Sequence, residues 1–218
     1  MLKLTLSTGP SSQFKVLCLG AHPDDIEIGC GGTILNLARA RPKAEFYWVV
    51  FSANKRRAAE ERESFGYFLN SVKSKKLVIK AFRESFFPYN GAKLKKYFEE
   101  LKHTFDPDLI FTHCRSDLHQ DHRLLSELTW NTFRDHLILE YEIPKYDGDL
   151  GAPNVFVALD KATREKKVSC ILRSFPSQET KSWFDEATLM STLRIRGMES
   201  NSPTKYAEAF YCRKMVLA

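Results

Sequence analysis

The chain has 218 residues, 43% hydrophobic and 28% charged, an ordinary balance for one globular domain with its own core, so residues 1–218 are read as a single domain. Lys and Arg outnumber Asp and Glu by 33 to 27, a formal charge of +6. The basic clusters at 73–76 and 93–96 fall on expected helix ends and faces, not in one stripe. That argues against nucleic-acid binding and leaves a solvated surface or the steering of an anionic small molecule.

Apolar runs such as 16–21 and 46–51 are far short of the ~18 residues a membrane span needs. Residues 1–13 carry no long apolar segment and do not read as a signal peptide. The five cysteines, at 18, 30, 114, 170 and 212, are odd in number and lack C-x-x-C spacing. Neither a disulfide framework nor a zinc ribbon is suggested, and reduced thiols in a cytoplasmic protein are the expectation.

In chain order, residues 14–20 form a short apolar run ending at glycine, a buried strand. A helix is expected over 31–41, closed by Pro42, then an aromatic and β-branched strand over 45–52. Asn54 opens a charged helix to about residue 70. A strand at 77–82, a helix at 92–105, a strand at 108–112 and a helix at 120–133 follow. Beyond these come strands at 137–143 and 155–159, helices at 162–175 and 181–195, and a last strand at 206–216. Alternating strands and helices imply an α/β fold, a Rossmann-like and mostly parallel sheet flanked by helices, with its ligand site outside the carboxyl ends of the strands.

Two groups of ligand-type residues fall there. Ala21-His22-Pro23-Asp24-Asp25 follows the first strand and His119-Gln120-Asp121-His122 follows the fourth. His22, Asp25 and His122 make a three-ligand set, to which a catalytic zinc adds an open position for water. Asp24 lies beside the ligands without needing to coordinate, the placement of a general base for that water. Pro23 stiffens the turn, and the glycines at 29, 31 and 32 let the chain turn closely and start its helix. A dinucleotide fingerprint is rejected, because Ile34 stands where a third glycine is required and Asp24, Asp25 and Glu27 would repel a pyrophosphate. His113, Cys114 and Asp117 read as structural strand-end or loop residues, Cys30 as a packed side chain, and His103 and His136 as helix-terminal surface residues.

The A-H-P-D-D segment with its G-C-G-G-T continuation, the stretch 105–111, Asp117-Leu-His-Gln-Asp-His-Arg123, Arg196-Gly197 and Tyr206-Ala-Glu-Ala-Phe210 together resemble the PIG-L/LmbE-like N-acetylglucosaminyl deacetylases. The resemblance implies an LmbE-like fold and removal of acetate from N-acetylglucosamine carried on a lipid, a small thiol precursor, an antibiotic or a nucleotide, and the basic surplus is compatible with a phosphorylated or nucleotide-linked sugar. It implies Zn2+, with Fe2+ as the alternative metal, held by His22, Asp25 and His122. It also implies Asp24 as base, His119 as the group that stabilises the oxyanion and protonates the amine, Asp121 as the orienter of His119, and Arg57 near the acetyl pocket. Ile26 before Glu27 departs from the commoner pattern, in which a glutamate directly follows the aspartate pair. The short connection before Arg57 points to a reduced substrate loop. Two rivals are carried forward: a non-haem iron(II) enzyme, since two His and a carboxylate also make a facial triad, and a non-catalytic sugar-binding protein on the same scaffold. The oligomeric state is left open, a homo-oligomer included.

Overall fold

The computed structural model describes residues 4–5 and 13–216; the leader reading of residues 1–13 lies almost wholly outside them. Seven strands form one sheet in the order β3-β2-β1-β4-β5-β7-β6. They are β1 (Lys15–Gly20), β2 (Glu45–Val50), β3 (Ser74–Ile79), β4 (Leu109–His113), β5 (Leu137–Tyr141), β6 (Val155–Ala158) and β7 (Ala207–Tyr211). The first five are mutually parallel, whereas β7 runs antiparallel to both β5 and β6. The helices are α1 (Asp25–Ala40), α2 (Lys55–Phe68), α3 (Gly91–Thr104), α4 (Gln120–Thr132), α5 (Lys161–Ser174) and α6 (Glu186–Glu199), with a 3₁₀ turn at Phe87–Asn90.

Because successive strand side chains point to opposite faces, the two sides of the sheet build separate cores. Val16, Cys18, Phe46, Trp48 and Phe111 pack with Ile34 of α1, Phe68 of α2, Ile171 of α5 and Leu193 of α6. Leu17, Leu19, Val49 and Ile110 face the other way, onto Phe98 and Leu101 of α3 and Leu125 of α4. Both faces are covered, which explains why β1 and β4 read as continuous apolar runs. The strand order reverses between β1 and β4, so a crevice is expected at their carboxyl ends.

Four elements differ in their bounds from the sequence reading. The first helix begins at Asp25, not near 31. The glycines read as a turn lie inside it, at points of close packing. A Cβ at 29 would sit 2.2 Å from the Tyr141 ring, one at 31 would sit 2.5 Å from Phe68, and one at 32 would sit 2.5 Å from Leu159. The third strand starts at Ser74, three residues early, since its Lys75 and Lys76 take edge positions beside β2. The last helix starts at Glu186, capped by Asp185, whose carboxylate accepts the Thr188 N–H at 2.7 Å, and residues 181–185 precede it as a loop. The final strand is confined to 207–211.

Candidate metal centre

The chain leaves β1 at Gly20 and turns at once into α1. The His22 N–H donates to Asp25 Oδ2 at 2.7 Å and the Asp25 N–H returns to His22 O at 3.4 Å. Asp24 sits between them with φ 91° and ψ −25°, left-handed backbone that a non-glycine residue adopts only when its surroundings enforce it. Arg57, in the first turn of α2, supplies the enforcement. Its Nη2 lies 3.1 Å from Asp24 Oδ2 and donates to Pro23 O. Asn54 caps α2 by accepting the Arg57 N–H at 3.0 Å. Arg57 thus grips the base candidate itself, where the resemblance had implied the acetyl pocket.

On the other side of the crevice, His119 is the residue before α4, and its Nδ1 accepts the Asp121 N–H at 3.2 Å. A neutral His119 therefore carries its proton on Nε2. His122 lies one turn into α4, its ring stacked between His113 and His119 at centroid distances of 3.9 and 4.5 Å.

The donor atoms converge. His22 Nδ1 is 3.2 Å from His122 Nε2 and 3.5 Å from Asp25 Oδ2, and His122 Nε2 is 3.6 Å from Asp25 Oδ1. Tetrahedral donors ~2.1 Å from one ion are separated by about 3.4 Å, so the spacing matches a shared ion. The outer partners agree. Asp121 Oδ2 lies 3.1 Å from His22 Nε2, and Asp117 Oδ2 lies 3.0 Å from His122 Nδ1. A carboxylate beside one ring nitrogen leaves the opposite nitrogen, His22 Nδ1 and His122 Nε2, as the atom that would face a cation. His22, Asp25 and His122 are thus a group able to hold a metal ion. A second buried group, His113, Asp117 and His122, suits an ion less well. The Lys145 ammonium already stands 3.1 Å from Asp117 Oδ1, and the Ala21 N–H already donates to His113 Nε2 at 3.0 Å.

Electrostatics follow the same geometry. Burial and the neighbouring Asp25 push Asp24 up to about 7, against the pull of Arg57. Burial opposes ionisation of Asp25, but His122, His113 and His22 outweigh it and hold it well below the usual carboxylate range. Burial also opposes ionisation of Asp117, yet its bond to His122 and the charge of Lys145 bring it down to about 2. Burial, with His122 and His22 alongside, lowers His119, which favours the neutral Nε2–H donor.

All seven residues singled out in the sequence meet at this crevice, but two hold different partners from those expected. The Asp121 carboxylate does not serve His119. It takes His22 Nε2 and the N–H groups of Ser85 at 2.6 Å and Phe87 at 3.1 Å, because helix geometry at the start of α4 points its side chain across to the 3₁₀ turn. Asp117, read as structural, bonds a ligand candidate directly; its place five residues before His122 in D-x-H-x-D-H was the available signal. The backbone donors of Ser85 and Phe87 had none.

A parallel α/β sheet with a His-Asp-His cluster at its switch point defines a class of metal-site proteins, and comparison names the family. The model of PIG-L, the GlcNAc-PI de-N-acetylases, matches residues 17–133, more than half of the chain. The protein belongs to that family. Among solved structures, N,N'-diacetylchitobiose deacetylase from Pyrococcus horikoshii is 24% identical, with 91% of this chain and 83% of that one covered at a TM-score of 0.65. A conserved protein of Thermus thermophilus is 19% identical, covering 94% and 97% at a TM-score of 0.72. The 4-carboxy-2-hydroxymuconate hydratase GalB of Pseudomonas putida is 14% identical, covering 94% and 98% at a TM-score of 0.69. No curated protein matches the chain. The five cysteines are unpaired, and no helix among the described residues is long and apolar enough to cross a membrane.

Proposed function

We propose that the protein is a zinc-dependent N-deacetylase of an N-acetylated sugar. The observation that carries this reading is the convergence of His22 Nδ1, His122 Nε2 and the Asp25 carboxylate at 3.2–3.6 Å from one another, with a strained, Arg57-held Asp24 adjacent. Zinc bound by His22, Asp25 and His122 would supply a polarised acetamide carbonyl and a water whose pKa falls to about 7. Asp24 then accepts the proton of the attacking water. His119 hydrogen-bonds the developing oxyanion through its Nε2–H, and the proton that Asp24 took from the water passes to the leaving nitrogen. Water adds to the acetyl carbon, the C–N bond breaks, and acetate and a free amine result. Asp121, 3.1 Å from His22 Nε2, orients that ligand imidazole.

The retained base and the complete ligand set argue against a non-catalytic binding protein. The alternating α/β architecture argues against an iron(II) oxygenase of the β-barrel type. Because a hydratase shares the fold, the sheet alone does not choose the reaction. The test is acetate release by the zinc-loaded protein across free, phosphorylated, lipid-linked and nucleotide-linked N-acetylhexosamines, with Fe2+ loading and oxygen uptake run in parallel. Release from at least one substrate class is expected. Oxygen uptake without acetate would overturn the reading.

A further inference from the structure

The loop between β5 and β6 crosses behind the metal centre and is fixed at both ends. Glu142 Oε1 accepts the Gly151 N–H at 2.8 Å and the Tyr211 hydroxyl at 2.6 Å. Arg196 Nη2 bridges Glu142 Oε2 at 2.7 Å and Gly151 O at 3.1 Å. A Cβ at position 151 would come within 2.4 Å of the Tyr211 hydroxyl oxygen, so the closure depends on glycine. From inside this loop Lys145 Nζ reaches to 3.1 Å from Asp117 Oδ1, its side chain 10% exposed and that of Asp117 2% exposed. Lys145 also pairs with Asp149, whose Oδ2 accepts the Leu118 N–H at 2.7 Å. Asp117 Oδ1 accepts the His119 N–H at 2.8 Å as well. One oxygen of Asp117 is thus committed to the loop and the backbone, and the other points at His122 Nδ1, 3.0 Å away.

We propose that Asp117, braced by Lys145, is a positioning residue that holds His122 as the Nδ1–H tautomer with its Nε2 lone pair turned into the ligand cluster. The inference rests on the proposed function only in treating His122 as a ligand. The rings of His113 and His119 on either side of His122 restrict its tilt, but stacking does not distinguish one ring nitrogen from the other. Asp117 does, because an anionic acceptor favours the N–H that faces it. Free neutral histidine prefers the Nε2–H form, so without Asp117 the proton would move to the nitrogen the metal needs. Lys145 acts one step back: it fills the second oxygen and stops the carboxylate from rotating off the imidazole.

The test uses the metal-free full chain. Long-range 1H–15N spectra, taken at a pH where histidines are neutral, report the His122 tautomer without any metal or turnover. The wild type is expected as Nδ1–H. Asp117→Ala should shift His122 toward Nε2–H and, in chelator competition, weaken zinc about 10- to 100-fold, the usual worth of such outer partners. Lys145→Met should weaken zinc less, and should add nothing once Asp117 is gone. If Asp117→Ala does not fold, Asp117→Asn replaces it, with the tautomer kept and the affinity between the two. A His122 that stays Nδ1–H in Asp117→Ala, or a Lys145→Met loss that is equal with and without Asp117, overturns the proposal. A wild type that is Nε2–H does the same while leaving the deacetylase reading intact. Correct tautomers with no acetate release would remove the deacetylase reading and leave this one.

Discussion

Asp24 combines three properties that rarely coincide: a positive φ, near-complete burial and a raised pKa. Each has an identified cause, and Arg57 acts on two of them in opposite senses: it holds the Pro23 carbonyl and so the backbone, and it faces the carboxylate and so limits the rise that burial and Asp25 produce. Asp24→Asn should retain stoichiometric zinc and lose roughly 10²- to 10⁴-fold in turnover, the range for a lost general base; elemental analysis with acetate assays checks both halves. Arg57→Ala should move the acidic limb of the kcat/KM profile to higher pH. The sign follows from the charge: the guanidinium favours the carboxylate form and lowers the Asp24 pKa, so its removal raises the pH at which the base becomes available. A limb that stays put would assign Arg57 to substrate contact instead. Asp121→Asn is expected to weaken zinc through His22, and a loss confined to turnover would return Asp121 to the His119 role.

At the scale of elements, the strands and the two ligand loops were legible because period and punctuation agree there: apolar runs ended by Gly20 or His113, then His and Asp. The start of α1 was not, because Gly29, Gly31 and Gly32 lower helix propensity and their tertiary reason, the rings of Tyr141 and Phe68 and the Leu159 side chain, is remote in sequence. The Asp121–His22 and Lys145–Asp117 pairings were hidden for the same reason, since each joins residues far apart in the chain. Two glycines separate packing from propensity. At Gly29 an added methyl meets Tyr141, whereas at Gly66 in α2 it meets nothing within 4 Å. Gly29→Ala should cost about 1–3 kcal/mol by overpacking, and Gly66→Ala should add about 0.4–1 kcal/mol by restricting the unfolded chain. Urea denaturation of the pair would refute this packing account if both changes had the same sign.

On the scale of the whole molecule, the family match ends at residue 133, yet the later part of the chain grips the helix that carries Asp25. Lys167 of α5 and Glu208 of β7 form an ion pair at 2.6 Å, their side chains 3% and 2% exposed. Lys167 Nζ donates to Ile28 O at 2.6 Å, and Glu208 accepts the N–H groups of Gly32 at 2.7 Å and Thr33 at 2.6 Å, with the Thr33 hydroxyl at 2.6 Å. Ile28 O and Gly32 N are i, i+4 partners in an ordinary helical turn, so the pair engages α1 through its own backbone groups, at a point where a Cβ on residue 32 would stand 3.0 Å from Glu208 Oε1. A pair this buried gains little over an apolar replacement, but removing one partner strands the other charge. Glu208→Gln or Lys167→Met alone should therefore cost about 3–5 kcal/mol. The double variant should lose clearly less than the sum, because neither charge is then left unpaired. Chemical denaturation gives the stabilities, and zinc titration of the same variants asks whether loosening α1 reaches Asp25. Strictly additive losses, or single-variant losses below about 1 kcal/mol, would mean that the pair is solvated in solution and that α1 is held by its apolar face alone.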